Sequence, residues 1–110
     1  MDDAIREDRC ARVATAVKEL IPALFEGKAD PDRLQGALGP VQAIRDIAAE
    51  GPDGVDDPAY RAWVRVGPAN LARVEDALRA GDADAAFTAF RDPEDGLSLL
   101  TQGCAGCQGW

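Results

Sequence analysis

The stretch that decides the fold runs from Cys10 to Leu24 and reads CARVATAVKELIPAL. Its apolar residues recur at steps of three and four, which places them on one face of a helix: Cys10, Val13, Val17, Leu20 and Leu24. No stretch of the chain alternates apolar and polar residues for long, and alanine, leucine, arginine and glutamate dominate. The sequence therefore predicts an all-α fold.

The first helix is expected to run from about Asp3 to Glu26. Pro22 lies inside this segment and is expected to kink the helix or to end its regular part near Leu20, because proline has no N–H to donate. Gly27 follows the last apolar residues and is expected to end the helix.

Three later helix starts carry an aspartate. Asp30-Pro31 and Asp57-Pro58 each combine an N-cap residue with a proline at the first helical position, where a missing N–H costs nothing. Gly81 is expected to end the third helix, and Asp82 or Asp84 is expected to open the fourth segment.

Pairs containing proline interrupt these helices. Gly39-Pro40 is expected to bend or divide the second helix, Gly67-Pro68 is expected to bend the third, and Asp92-Pro93 looks like a fresh helix start. The fourth segment is therefore one kinked helix or two helices that nearly abut. Four apolar stripes joined by short loops predict a single helical domain over residues 1–110, an antiparallel four-helix bundle with proline-kinked helices.

The composition excludes several functions. Lysine and arginine number 12 and aspartate and glutamate 20, and the net charge of −8 argues against nucleic acid and against an anionic membrane surface as partners. The chain has no histidine, so Ser-His-Asp and Cys-His nucleophile systems are excluded. The chain is expected to be non-enzymatic.

The first nine residues, MDDAIREDR, are charged where a signal peptide has an apolar core. We therefore expect a cytoplasmic location, or a periplasmic one if a leader was replaced by a start methionine.

The last ten residues, TQGCAGCQGW, contain the one constellation with chemical content. Cys104 and Cys107 share a face if this segment is helical, and in a turn both reach one metal or form a disulfide. Residues 103–110 are thus expected to be a Cys/Gly-rich C-terminal site or tail. Because the chain has three cysteines, at most one bridge forms.

Cys10 is the third cysteine. In an antiparallel bundle the start of the first helix and the end of the last lie at the same end, so Cys10 is expected near Cys104 and Cys107. Three thiolates with a carboxylate would bind zinc or copper; the candidate carboxylates are Asp3, Glu7 and Asp8. Alternatively, Cys10 is a small buried hydrophobic residue on the apolar stripe.

The segment Gly103-Cys104-Ala105-Gly106-Cys107-Gln108 resembles the haem-attachment motif Cys-x-x-Cys-His, with Gln108 where the axial histidine belongs. Residues 77–87, ALRAGDADAAF, are similar to the entry into the last helix of the class II c-type cytochromes, cytochrome c prime and its relatives. The resemblance implies a four-helix bundle with covalent haem c on its last helix, Cys104 and Cys107 forming the thioethers, and a role in electron transfer or gas binding.

The hypothesis we favour is a small thiol protein that uses Cys104 and Cys107 for metal binding or redox chemistry on a scaffold resembling class II cytochromes. Covalent haem c is one alternative. Another is a precursor of a ribosomally made, modified peptide with residues 104–110 as its core. Trp110 either plugs the end of the bundle or is an exposed recognition element. A protein redox partner, a tailoring partner and a homodimer stay open.

Overall fold

The first helix, α1, spans Ala4–Ala29 in the computed structural model, which describes residues 4–110. The predicted start at Asp3 lies outside the described residues. The helix continues through Pro22, and the predicted stop at Gly27 is wrong. Gly27 is buried, and a Cβ atom on it would lie 2.5 Å from Cδ1 of Leu34. This glycine therefore allows the next helix to approach closely, and α1 ends only before Asp30.

The segment after α1 is divided into α2 (Pro31–Leu34), a 3-10 turn (Gln35–Ala37) and α3 (Leu38–Ala49). The predicted start is confirmed, because the Asp30 carboxylate accepts a hydrogen bond from the N–H of Asp32 at 3.0 Å. The division falls just before Gly39-Pro40. Pro40 cannot donate to a carbonyl four residues back, so the preceding turn tightens into 3-10 geometry and a new helix starts with proline in its first turn.

The next helix, α4, is continuous over Pro58–Arg79. Asp57 caps it by accepting from the N–H of Tyr60 at 2.9 Å, as the sequence predicts. Gly67-Pro68 does not divide it. A Cβ atom on Gly67 would lie 2.6 Å from Nε1 of Trp63, so glycine leaves room for the buried indole. Gly81, with φ +73°, follows the helix end as predicted.

Two short helices follow, α5 (Ala83–Phe90) and α6 (Leu97–Gly103). Asp82 caps α5 through the N–H of Ala85. The expectation of a fresh helix start at Asp92 is wrong, because α6 begins five residues later. The N–H of Gly96 donates to the carbonyl of Asp92 at 2.9 Å. Residues 92–96 therefore form a turn, and the helix starts only after it.

The helices enclose one apolar core, and every regular element among residues 4–110 is helical, so the all-α prediction is confirmed. α4 packs against α3, α5 and α6, while α1 packs against α2, α3 and α5. The described chain measures 46 × 22 × 20 Å. Its largest fully buried side chains are those of Trp63 and Tyr60 on α4. No helix within residues 4–110 is long and apolar enough to cross a membrane.

Candidate functional site

A disulfide joins the first helix to the end of the last. Cys10 on α1 is bonded to Cys104, the residue that follows α6; their Cα atoms are 5.6 Å apart, and the two residues are 94 positions apart in sequence. Both side chains are fully buried. The structure thus places Cys10 beside the C-terminal cysteines, as the sequence argument expects, and Cys10 is bridged instead of being a buried thiol.

Arg6 holds the same two segments together by hydrogen bonds. Its Nε donates to the carbonyl of Gly103 at 2.9 Å, and its Nη2 donates to the carbonyl of Ala105 at 2.7 Å. The last carbonyls of a helix have no partner within the helix. A guanidinium at this end also complements the negative end of the helix dipole. Arg6 therefore acts as a cap on α6 that is supplied by α1.

The residues after Cys104 form two consecutive tight turns. The N–H of Cys107 donates to the carbonyl of Cys104 at 3.0 Å, and the N–H of Trp110 donates to the carbonyl of Cys107 at 3.0 Å. The third residue of each turn is a glycine with positive φ: Gly106 at +82° and Gly109 at +92°. No other residue of either turn has positive φ, which is the pattern of a type II turn. These glycines, which in sequence suggest flexibility, therefore set a defined backbone path.

The turns return the end of the chain to α1. The indole N–H of Trp110 donates to the carbonyl of Cys10 at 2.8 Å, and the half-buried ring packs against the core. Of the two sequence hypotheses for Trp110, a plug and an exposed recognition element, the contacts favour the plug. Cys107 is 5% exposed, so the segment from 103 to 110 lies on the helical core with a buried cysteine on each of its turns.

Tyr60 lines the site from the side of α4. A Cβ atom on Gly103 would lie 2.8 Å from both the Cα and the backbone N of Tyr60, so α6 and α4 touch here backbone to backbone. The Tyr60 hydroxyl is buried, and Arg9 is the basic side chain that acts on it. Burial raises the pKa of Tyr60, and the positive charge of Arg9 opposes that shift. The phenol is therefore neutral at physiological pH.

The carboxylates proposed as metal ligands are not grouped with the cysteines in the part of the chain that the structure describes. Glu7 and Asp8 are exposed, Asp8 pairs with Arg12 at 3.1 Å, and Asp3 lies outside the described residues. Within residues 4–110 no group of three or more histidine, cysteine or acidic side chains is placed to hold a metal ion. Gln108, at the position of the axial haem ligand in the resemblance, is exposed.

Sequence reasoning did not identify Arg6, Tyr60 or the two turns as parts of this site. Two signals were available. Arg6 precedes Cys10 by four positions, so the two lie on one face of a helix. The segments Cys104-Ala105-Gly106-Cys107 and Cys107-Gln108-Gly109-Trp110 both have glycine in third place, which is typical of type II turns.

Comparison of the chain with protein-family models, with curated proteins and with solved structures gives no match.

Proposed function

We propose that this chain is a non-enzymatic thiol protein whose Cys10–Cys104 disulfide forms and breaks reversibly, and that this reaction controls how firmly residues 103–110 are held on α1. The observation that carries the proposal is the bridge itself, because it connects the first helix to the C-terminal Cys-x-x-Cys. After reduction, only the hydrogen bonds of Arg6 and Trp110 and apolar packing would connect the two segments.

The geometry supports redox chemistry more than metal binding. Two of the three sulfur atoms are bonded to each other, so a metal would find thiolate ligands only after reduction. Arg6, a positive charge beside Cys104, favours an anionic sulfur when the bridge opens. The same charge repels a metal cation. Metal binding by Cys10, Cys104 and Cys107 stays a prediction for the reduced protein.

The scaffold we propose is the antiparallel four-helix bundle expected from the sequence. Its arms would be α1, α2 with α3, α4, and α5 with α6. A straight helix of 26 residues is about 39 Å long, close to the 46 Å length of the described chain, so α1 would run along most of the molecule. The Cys10–Cys104 bridge fits an arrangement in which the first arm begins where the last arm ends. Bends at Pro22 and Pro68 remain part of this proposal.

The test is a redox titration of the purified protein in glutathione buffers of defined potential. Samples are quenched in acid, and alkylated cysteines are counted by mass. We expect the number of alkylated cysteines to change reversibly between one and three, with a midpoint above about −300 mV, the region below which structural disulfides fall. A lower midpoint, or three alkylated cysteines in every buffer, would contradict the proposal.

A Cys107→Ser variant is the matched control for this titration. It should change between zero and two alkylated cysteines, which assigns the transition to Cys10 and Cys104. The midpoint also bears on location, because persistent disulfides are typical of oxidising compartments and transient ones of the cytoplasm. It thereby decides between the cytoplasmic and periplasmic expectations.

Two alternatives from the sequence stay predictions. Attachment of haem c to Cys104 and Cys107 requires Cys104 to be released from Cys10 first. A modified-peptide precursor requires a tailoring enzyme to reach residues 104–110, whereas Cys104 and Cys107 are buried and Trp110 is bonded to α1.

A further inference from the structure

Cys104 has two cysteine neighbours, Cys10 through the disulfide and Cys107 through a tight turn. Its Cα atom is 5.6 Å from that of Cys10. The turn hydrogen bond from Cys107 to Cys104 closes a β-turn, in which the first and fourth Cα atoms are less than about 7 Å apart. Disulfides span Cα separations of about 4.4–6.8 Å. The backbone separations at Cys104 are therefore compatible with a bridge to either neighbour.

We propose that the protein exchanges its disulfide internally, between a Cys10–Cys104 isomer and a Cys104–Cys107 isomer. This inference rests on the proposed redox function. The inference adds that the Cys107 thiolate of the same chain is the nucleophile that opens the Cys10–Cys104 disulfide. The segment 103–110 would then be released from its covalent bond to α1 without any external reductant.

The exchange balances without a co-reactant. The Cys107 thiol loses its proton, and the thiolate attacks Sγ of Cys104. A bond forms between the sulfurs of Cys104 and Cys107, while the bond between Cys104 and Cys10 breaks. Cys10 leaves as a thiolate and takes up a proton. One disulfide and one thiol are present before and after, so nothing is oxidised or reduced overall.

The surroundings suit this step. All three cysteines are buried, at 0%, 0% and 5% exposure, so the internal thiol is held closer to the bridge than a thiol in solvent. The Arg6 guanidinium is bonded to the carbonyls on both sides of Cys104, which keeps a positive charge beside the residue whose sulfur is attacked. Glycine at position 106 already gives the turn that the short bridge requires.

The test locates the one reactive thiol in oxidised wild-type protein. The protein is equilibrated without added thiol, quenched in acid, denatured and alkylated at mildly acidic pH, and then digested with trypsin. Cleavage after arginine leaves Cys10 in the peptide Cys10–Arg12 and the other two cysteines in Asp92–Trp110. The Cys10–Cys104 isomer joins these peptides and carries the label on Cys107. The exchanged isomer leaves them separate and carries the label on Cys10.

We expect the label to be divided between Cys107 and Cys10, in a ratio that does not change with protein concentration. In Cys107→Ser, no cysteine should be labelled. A label on Cys107 alone would overturn the exchange and leave the reversible Cys10–Cys104 bridge intact. A label on Cys104 would overturn the assignment of Cys104 as the shared sulfur. Labels on all three cysteines of air-oxidised protein would overturn both proposals.

Discussion

The short helix α6 is anchored at its two ends by different chemistry. Its C-terminal end is held to α1 by the Cys10–Cys104 disulfide and by Arg6. Just before its N-terminal end, Asp95 is held to α4 by polar groups. The buried Asn70 donates to Asp95 at 3.1 Å and to the carbonyl of Ala89 at 2.6 Å, and Arg73 donates to both carboxylate oxygens at 3.0 Å.

The difference lies in what each anchor responds to. The bridge is insensitive to salt and moderate acid and responds to redox potential. The Asp95 junction responds to protonation and salt, and redox potential does not affect it. Two independent conditions therefore loosen opposite ends of the same helix. Four predictions, in decreasing order of expected effect, test this separation.

Removing the disulfide should have the largest effect. In the chain-entropy model a bridge that closes a loop of about 95 residues stabilises a fold by about 4.7 kcal/mol. We expect urea denaturation to show a loss of about 4 kcal/mol in the free energy of unfolding after reduction. The double variant Cys10→Ala, Cys104→Ala is the control, since a reductant should not change its stability. An unchanged midpoint in reduced wild-type protein would show that the bridge adds nothing to the C-terminal anchor.

Gly103→Ala should loosen the disulfide end sterically. The added methyl group would lie 2.8 Å from backbone atoms of Tyr60, and backbone cannot move aside cheaply. We expect a loss of about 1–3 kcal/mol in thermal or urea unfolding. Gly36→Ala is the matched control, because nothing lies within 4 Å of its Cβ position. Equal stabilities for the two variants would argue against close packing of α6 on α4.

Asn70→Ala should weaken the polar end. The Asn70 amide is 1% exposed, and its removal leaves the carbonyl of Ala89 without that donor. We expect a loss of about 1–3 kcal/mol in the free energy of unfolding. Gln42→Ala removes an exposed amide that bonds to Asp46, and its effect should be much smaller. The redox midpoint of the cysteines should not change in Asn70→Ala; a shift would show that the two anchors are coupled.

Asp95→Asn should have the smallest effect, and it should depend on pH. The hydrogen bonds from Arg73 hold the pKa of Asp95 below its usual value, while partial burial opposes this shift. A lowered pKa in the folded state stabilises the fold above the unfolded value of about 3.9 and loses that contribution as pH falls through the folded value. We expect the variant to be about 0.5–1 kcal/mol less stable at pH 7. The deficit should shrink in urea titrations near pH 3, and a constant deficit would contradict the ionic contribution.

The sequence predicts helix starts better than helix ends in this chain. Asp30, Asp57 and Asp82 cap helices as expected, because capping depends on a side chain and a backbone N–H two or three residues away. The predicted helix end at Gly27 and the predicted helix start at Asp92 are wrong, because contacts with residues distant in sequence determine the backbone path at both positions. Leu34 packs over Gly27, and the segment after Asp92 turns so that Asp95 reaches Asn70 and Arg73.

The location of the site was predictable from the sequence, whereas the pairing of its cysteines was not. Topology predicts that Cys10 lies near the C-terminal cysteines, because the first and last arms of an antiparallel bundle share an end. Which two of three neighbouring cysteines are bridged depends on side-chain directions that no sequence pattern encodes. The capping role of Arg6 could not be predicted either, because it depends on the carbonyls of Gly103 and Ala105, which lie 97 and 99 positions away in sequence.

The disulfide also has a mechanical consequence. When tension is applied to the residues outside the bridge, it passes from Cys10 to Cys104 through the sulfur atoms, and the loop between them bears no load. While the Cys10–Cys104 bond is present, only residues 4–10 and 104–110 lengthen, to a contour of about 50 Å; without that bond the described chain extends to about 360 Å. The Cys10–Cys104 bond therefore sets a short limit on how far the molecule extends under load, and breaking that bond removes the limit.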